Sequence, residues 1–190
     1  LDFDDAEWTP GRNGAGYETG AGFQALISAD FDFGDEMFNQ NPSLYLRFPF
    51  EIGNVEALRA AGRLLMKVKY DDGFVAYLNG HRVAAANAPE DLAWDSEATA
   101  SHPDPAALEF ELIDLSEHVG KLQRGTNVLA IQGLNINATS ADLLIVVELE
   151  TSAHDYERAI GELVELDAFY RFWAVEGLLG AWDGYSGNRN

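Results

Sequence analysis

Several short runs of the chain alternate apolar and polar residues with a period of two, and that spacing predicts strands. In LYLRFPFEI (44–52), Leu44, Leu46, Phe48, Phe50 and Ile52 share one face, and Tyr45, Arg47, Pro49 and Glu51 share the other. Pro49 has no backbone N–H to donate, so this strand belongs at a sheet edge. RLLMKVKY (63–70) repeats the pattern, with Leu64, Met66, Val68 and Tyr70 opposed to Leu65, Lys67 and Lys69. In FVAYLNGHRVA (74–84), Asn79-Gly80 separates two strand-like runs. Both residues tolerate positive φ, which predicts a two-residue type I′ hairpin. Further strands are expected over 22–28 (GFQALIS), 108–115 (LEFELIDL, with Leu108, Phe110 and Leu112 on one face), 128–136 and 142–150. Asp71-Asp72-Gly73 and Gly125-Thr126-Asn127 read as tight turns, and 85–107 as a long loop. Ser116 is placed to cap a short helical turn through Leu122.

Regular strands separated by turns, with almost no helix among them, predict a mainly β fold: an antiparallel jelly-roll sandwich over 1–151. Near residue 152 the period changes. Ser152 and Asp167 are suited to cap helices over 153–164 and 168–179, with Gly180 as the stop. The expected architecture is therefore the sandwich followed by a C-terminal two-helix tail over 152–190. The second helix carries Phe169, Phe172, Trp173, Val175, Leu178 and Leu179. A helix apolar on most of its sides expects burial in a larger body.

Composition narrows the partners. The net charge is −20, and a surface that negative repels phosphate backbones and anionic lipids, so neither nucleic acid nor a membrane surface is the expected partner. The charge suits cations or neutral ligands such as sugars. The absence of cysteine excludes disulfides and thiolate metal sites. No apolar run reaches about 18 residues, so no membrane-inserting helix is expected. His81, His102, His118 and His154 show no zinc-binding spacing.

The first 150 residues resemble a sandwich module found in large secreted proteins of planctomycetes and related bacteria. The likeness runs in order through DFDDAEW, GAGYETGAGFQALI, SLYLRFPFEI, YDDGFVAYLNGHRVAAANAP, ATASHPD, GTNVLAIQGLN and DLLIVVELE. It implies a galactose-binding-like jelly roll that binds glycans, appended to enzymes or surface proteins, and hence a bacterial secreted or cell-surface location. The stretch LVELDAFYRFWAVEGLLGAWDGYSGNRN (163–190) resembles a different family, the spore-coat-protein-H-like (CotH) kinases. That resemblance implies that Asp183 is a catalytic aspartate and that Asn188 holds Mg²⁺ beside ATP. Phosphoryl transfer also needs a nucleotide cradle, a phosphate-pairing lysine and a second metal aspartate. Only the loop is found here, so the expectation is a non-catalytic chain cut from a longer polypeptide.

Sugar recognition by a sandwich needs an exposed aromatic face with amide and carboxylate groups around it. Trp8, Tyr17 and Trp94 are the aromatic candidates; Asp95, Asn135 and Asn137 are the polar ones. For each taken singly, packing beneath a loop competes with ligand contact. DFDFGDE (30–36) alternates acids but fails the EF-hand series, because position 12 counted from Asp30 is Asn41. A calcium site of another kind through Asp30, Asp32 or Asp35, or through Asp71 and Asp72, stands against the simpler readings of a solvated acidic loop and a turn. The leading expectation is an extracellular accessory module that binds carbohydrate and requires no cofactor, with calcium as an optional ligand. The alternatives are a fragment of a CotH-like kinase acting through Asp183 and Asn188 with Mg-ATP, and a spacer or assembly subunit that packs on neighbouring subunits or other domains of its parent protein.

Overall fold

The computed structural model describes residues 4–151. The predicted helices at 153–164 and 168–179, and Asp183 and Asn188, lie outside the described residues. Chain contacts divide the polypeptide into two units, Leu1–Thr151 and Ser152–Asn190, and the sandwich is the first of them.

Among the described residues, eight strands form two four-stranded antiparallel sheets: β1 (Ala15–Glu18), β2 (Ser43–Ile52), β3 (Leu65–Asp71), β4 (Gly73–Leu78), β5 (His81–Ala86), β6 (Glu111–Asp114), β7 (Gly125–Leu134) and β8 (Asp142–Glu150). The orders are β1-β8-β3-β6 and β2-β7-β4-β5. Every strand in the first half pairs with its mirror in the second: β1 with β8, β2 with β7, β3 with β6, β4 with β5. The module is one long hairpin rolled into two sheets, the double Greek key of a jelly roll. Its tip is Asn79-Gly80, at φ 50° and 83°, as the sequence predicts. The edge position expected from Pro49 also holds, since β2 ends its sheet.

Inward residues of both sheets build one core. Leu44, Leu46, Phe74, Ala76, Leu78, Leu129 and Ile131 come from one sheet, and Met66, Val68, Tyr70, Leu143, Ile145 and Val147 from the other. A smaller cluster outside it joins Phe23, Ala107 and Leu144.

Four local expectations are corrected. Residues 22–28 are turns rather than a strand; Leu26 N and Ile27 N both donate to Phe23 O, and the buried Phe23 anchors them. Asp71-Asp72-Gly73 does not reverse the chain. It is the bend that carries β3 into β4 on the other sheet, and both aspartates are buried. The strand expected over 108–115 shrinks to β6 with the opposite face inward. Met66 pairs with Ile113 and Lys67 with Leu112, so Ile113 meets the core while Leu108, Phe110 and Leu112 stay exposed. Helix is also present inside the sandwich unit. A seven-residue helix, α2 (Val55–Ala61), follows the short α1 (Gly34–Met37). Asn54 caps α2 by accepting from Ala57 N at 3.0 Å, and Gly62 closes it at φ 66°. A single turn, α3 (Asp104–Ala107), breaks the long loop, and the turn expected after Ser116 is a 3-10 helix over Ser116–Lys121.

Candidate functional site

The outward faces of β2, β7 and β4 set the floor of a cleft. Register places Tyr45 opposite Gln132, which lies opposite Val75; it also places Arg47 opposite Ala130, which lies opposite Tyr77. Paired residues share a face, so two cross-strand rows of aromatic, amide and guanidinium groups lie side by side. The loop after β5 folds over this floor and contributes Leu92, Ala93 and Trp94. Trp8, from the N-terminal segment, closes another side. The open cleft has a volume of about 610 Å³, within the range of small-ligand sites.

Backbone bonds hold the loop in place and leave its indole free to project. Gln132 Nε2 donates to Ala93 O at 2.9 Å and to Ser43 Oγ at 3.1 Å; Ser43 Oγ donates to Ser96 O at 2.8 Å. Ala93 N donates to Ser96 Oγ at 2.8 Å, and the Tyr45 hydroxyl donates to Trp94 O at 3.1 Å. Ala98 N reaches Asn135 O and Thr99 N reaches Asn87 O, each at 2.8 Å. Trp94 is left 70% exposed, more than the other large exposed apolar residues of the described chain, on a segment whose backbone is pinned at several points. Arg47 donates to Asp5 Oδ2 at 2.7 Å, which ties the N-terminal segment to the floor. Burial raises the Tyr45 phenol above its ordinary pKa, with Tyr77 and Asp95 adding to it, so this hydroxyl stays protonated as a donor.

Of the six ligand candidates from the sequence, Trp8 and Trp94 line this cleft; Asp95 does not line it, though its charge acts on Tyr45. The other three are occupied elsewhere. Tyr17 is 1% exposed and offers no ring face to a ligand. Its hydroxyl donates to Ser140 O at 2.8 Å and accepts from Asn135 Nδ2 at 2.9 Å, and burial pushes the phenol up to about 12. Asn135, fully buried, also donates to Asp142 O at 2.8 Å. Asn137 accepts from Thr139 N and Thr139 Oγ1 within its own turn. Tyr17→Phe is therefore expected to cost about 1–2 kcal/mol of stability by urea denaturation, through one lost buried hydroxyl network, and to leave ligand binding in the cleft unchanged.

Tyr45, Tyr77, Gln132 and Arg47 belong to the site although the sequence did not single them out as ligand residues. The signal was available in part: Tyr45 and Arg47 sit on the polar face of an alternating strand, where an aromatic must either be covered or face a ligand. A second groove of about 670 Å³ adjoins the first and shares Trp8, Tyr45, Leu46 and Arg47 with it; Phe31, Phe33 and Pro49 add to its wall.

Among the described residues no group of three or more His, Asp or Glu side chains is arranged to hold a metal ion as it stands. Asp30, Asp32 and Asp35 are exposed, and Asp32 Oδ1 accepts from Gly34 N within a turn. No described helix is long and apolar enough to cross a membrane.

No family model matches the chain, and no curated protein matches it. Among solved structures, a β-D-mannosidase from Dictyoglomus thermophilum aligns with 50% of this chain and 9% of its own, at 16% identity and a TM-score of 0.32. An α-L-rhamnosidase from Streptomyces avermitilis, in complex with L-rhamnose, aligns with 59% of this chain and 9% of its own, at 17% identity and a TM-score of 0.37. An α-L-rhamnosidase from Aspergillus terreus aligns with 60% and 12%, at 14% identity and a TM-score of 0.34. The chain thus spans 9–12% of the length of these enzymes, and likenesses this loose carry no argument about its activity.

Proposed function

We propose that the sandwich unit is a non-catalytic accessory module of a secreted or cell-surface bacterial protein, and that it binds a neutral carbohydrate in the Trp8–Trp94 cleft. One observation carries the reading: a tryptophan 70% exposed on a loop whose backbone is fixed, above a floor bearing Tyr45, Tyr77 and Gln132. Exposing an indole forgoes its burial energy, and an aromatic held rigidly at a cleft mouth suits stacking against the C–H face of a sugar. Amide and hydroxyl groups nearby supply the hydrogen bonds that orient such a ligand. The net charge of −20 favours a neutral glycan over an acidic one.

The test is a glycan array and titration calorimetry with the 190-residue chain. Trp94→Ala is expected to weaken binding about tenfold or more, the size of an interface anchor, with an unchanged melting temperature. No binding across neutral plant, algal and bacterial glycans would sink the proposal. So would equal affinity of the wild type and Trp94→Ala.

A further inference from the structure

The aromatic cleft does not end at Trp8. Trp8, Tyr45, Leu46 and Arg47 line both the cleft and the second groove, so the two spaces meet along β2. Their volumes are similar, about 610 and 670 Å³. Each is the size of a site for one small ligand, and joined they suit a longer one. Residues Leu44 to Pro49 all line the second groove. Successive residues of a strand face opposite ways, so this groove passes over the edge of β2. That edge is the end of its sheet. Alternate backbone N–H and C=O groups therefore point away from β7, toward a ligand lying there.

The wall of the second groove is fixed. The N-terminal segment that forms it is tied at both ends. Arg47 donates to Asp5 Oδ2 at 2.7 Å, and Asn13 Nδ2 donates to Val147 O at 2.7 Å. Between these ties, Gly11 lies so close to Phe31 that a Cβ would stand 2.6 Å from the ring. The Phe31 ring in turn stacks on Phe33, with centroids 5.8 Å apart. The lining mixes the apolar Trp8, Phe33 and Pro49 with the polar Glu7 and Thr9. Such a mixture suits a pyranose chain, which offers apolar C–H faces and hydroxyl edges in alternation. Asp5 and Glu7 add local negative charge to a chain already at −20, which selects against uronic acids.

We propose that the module binds an internal stretch of a linear neutral polysaccharide, laid through both grooves with Trp8 as their shared wall. The inference rests on the carbohydrate reading of the first cleft and deepens it, from a sugar to a chain.

Titration calorimetry of the 190-residue chain with length series tests this. The probes are the cello-, β-1,4-manno- and β-1,4-xylo-oligosaccharides, from disaccharide to hexasaccharide, and the parent polymers. A disaccharide fills the first cleft alone. In the series that binds, the hexasaccharide should be about tenfold tighter, and several modules should load onto each polymer chain. Thr9→Arg and Pro49→Arg place bulk in the second groove from the N-terminal segment and from β2. Both positions are exposed, so melting temperatures should hold. Each variant should cut the hexasaccharide advantage to about threefold or less. Trp94→Ala should weaken both lengths. Affinity independent of length overturns this inference and leaves the single-cleft reading standing. A length advantage undiminished in both arginine variants also overturns it, because the gain then comes from the many registers of a longer chain. One module per polymer chain would assign recognition to chain ends and overturn it too. No binding in any series sinks the carbohydrate reading itself, and this inference with it.

Discussion

Replacing Asp72 by alanine is expected to destabilise the sandwich by about 3 kcal/mol, read as a lower urea midpoint with an unchanged slope. The side chain is the acceptor for two backbone donors from different loops, His102 N and Ile136 N. Its own backbone adds two more ties: Asp72 N donates to Leu134 O at 3.1 Å, and Asp72 O accepts from Asn87 Nδ2 at 2.8 Å. The bend where the chain changes sheets is thus the node that holds residues 87, 102 and 134–136 together. Both bonds tie separate loops to one side chain, and removing the acceptor leaves two donors to find water. Asp72→Asn should lose about half as much, because an amide keeps one acceptor oxygen. A loss below about 1 kcal/mol for Asp72→Ala would show that solvent replaces the carboxylate and that the node is not structural.

Gly16→Ala should be as damaging, at roughly 3 kcal/mol or more. Gly16 has φ 150°, and a Cβ there would lie 1.9 Å from Leu143 O. That oxygen belongs to the partner strand backbone, so it cannot move aside without breaking the ladder of Ala15–Glu18 against Asp142–Ile145. Gly16 is also bonded on its other side, with Gly16 N donating to Phe31 O at 3.0 Å and Phe33 N to Gly16 O at 2.9 Å. The clash therefore spreads to the 28–33 turn. Melting temperature and amide exchange of β1 and β8 are the measurements. Wild-type stability in Gly16→Ala would mean that β1 can detach without loss.

Most of the sandwich was legible in the sequence because its central strands have one wet and one dry face. Leu44, Leu46 and Ile52 are buried as the alternation of β2 requires, as are Met66, Val68 and Tyr70 on β3. Asn79-Gly80 fixed the hairpin locally, with no reference to the rest of the chain. The failures occurred where a distant partner decides the outcome. Leu112 and Ile113 are equally apolar, and only pairing with Lys67 and Met66 tells which one faces inward. Phe23 reads as a strand residue but serves as the buried anchor of a turn. The binding candidates show the same limit. Tyr17 and Trp94 are both aromatic, each between a small residue and an acid, and differ in what covers them: β8 and Asn135 seal the first, and the second is left 70% exposed. The acids divide likewise. Asp30, Asp32 and Asp35 form the longer acidic series in sequence, yet it is the pair in the turn-like DDG that is buried.

The nested pairing also has a consequence in time. Hairpin closure at Asn79-Gly80 brings β4 and β5 together first, since they are adjacent in sequence. Each further pair then spans a longer stretch of chain, and the last, β1 with β8, joins the two ends of the module. Such long-range pairing makes folding slow, in the range of milliseconds to seconds. During synthesis β1 must wait, unpaired, until β8 has emerged. Its brevity suits that wait: four residues, two of them small, make a poor template for a stray strand.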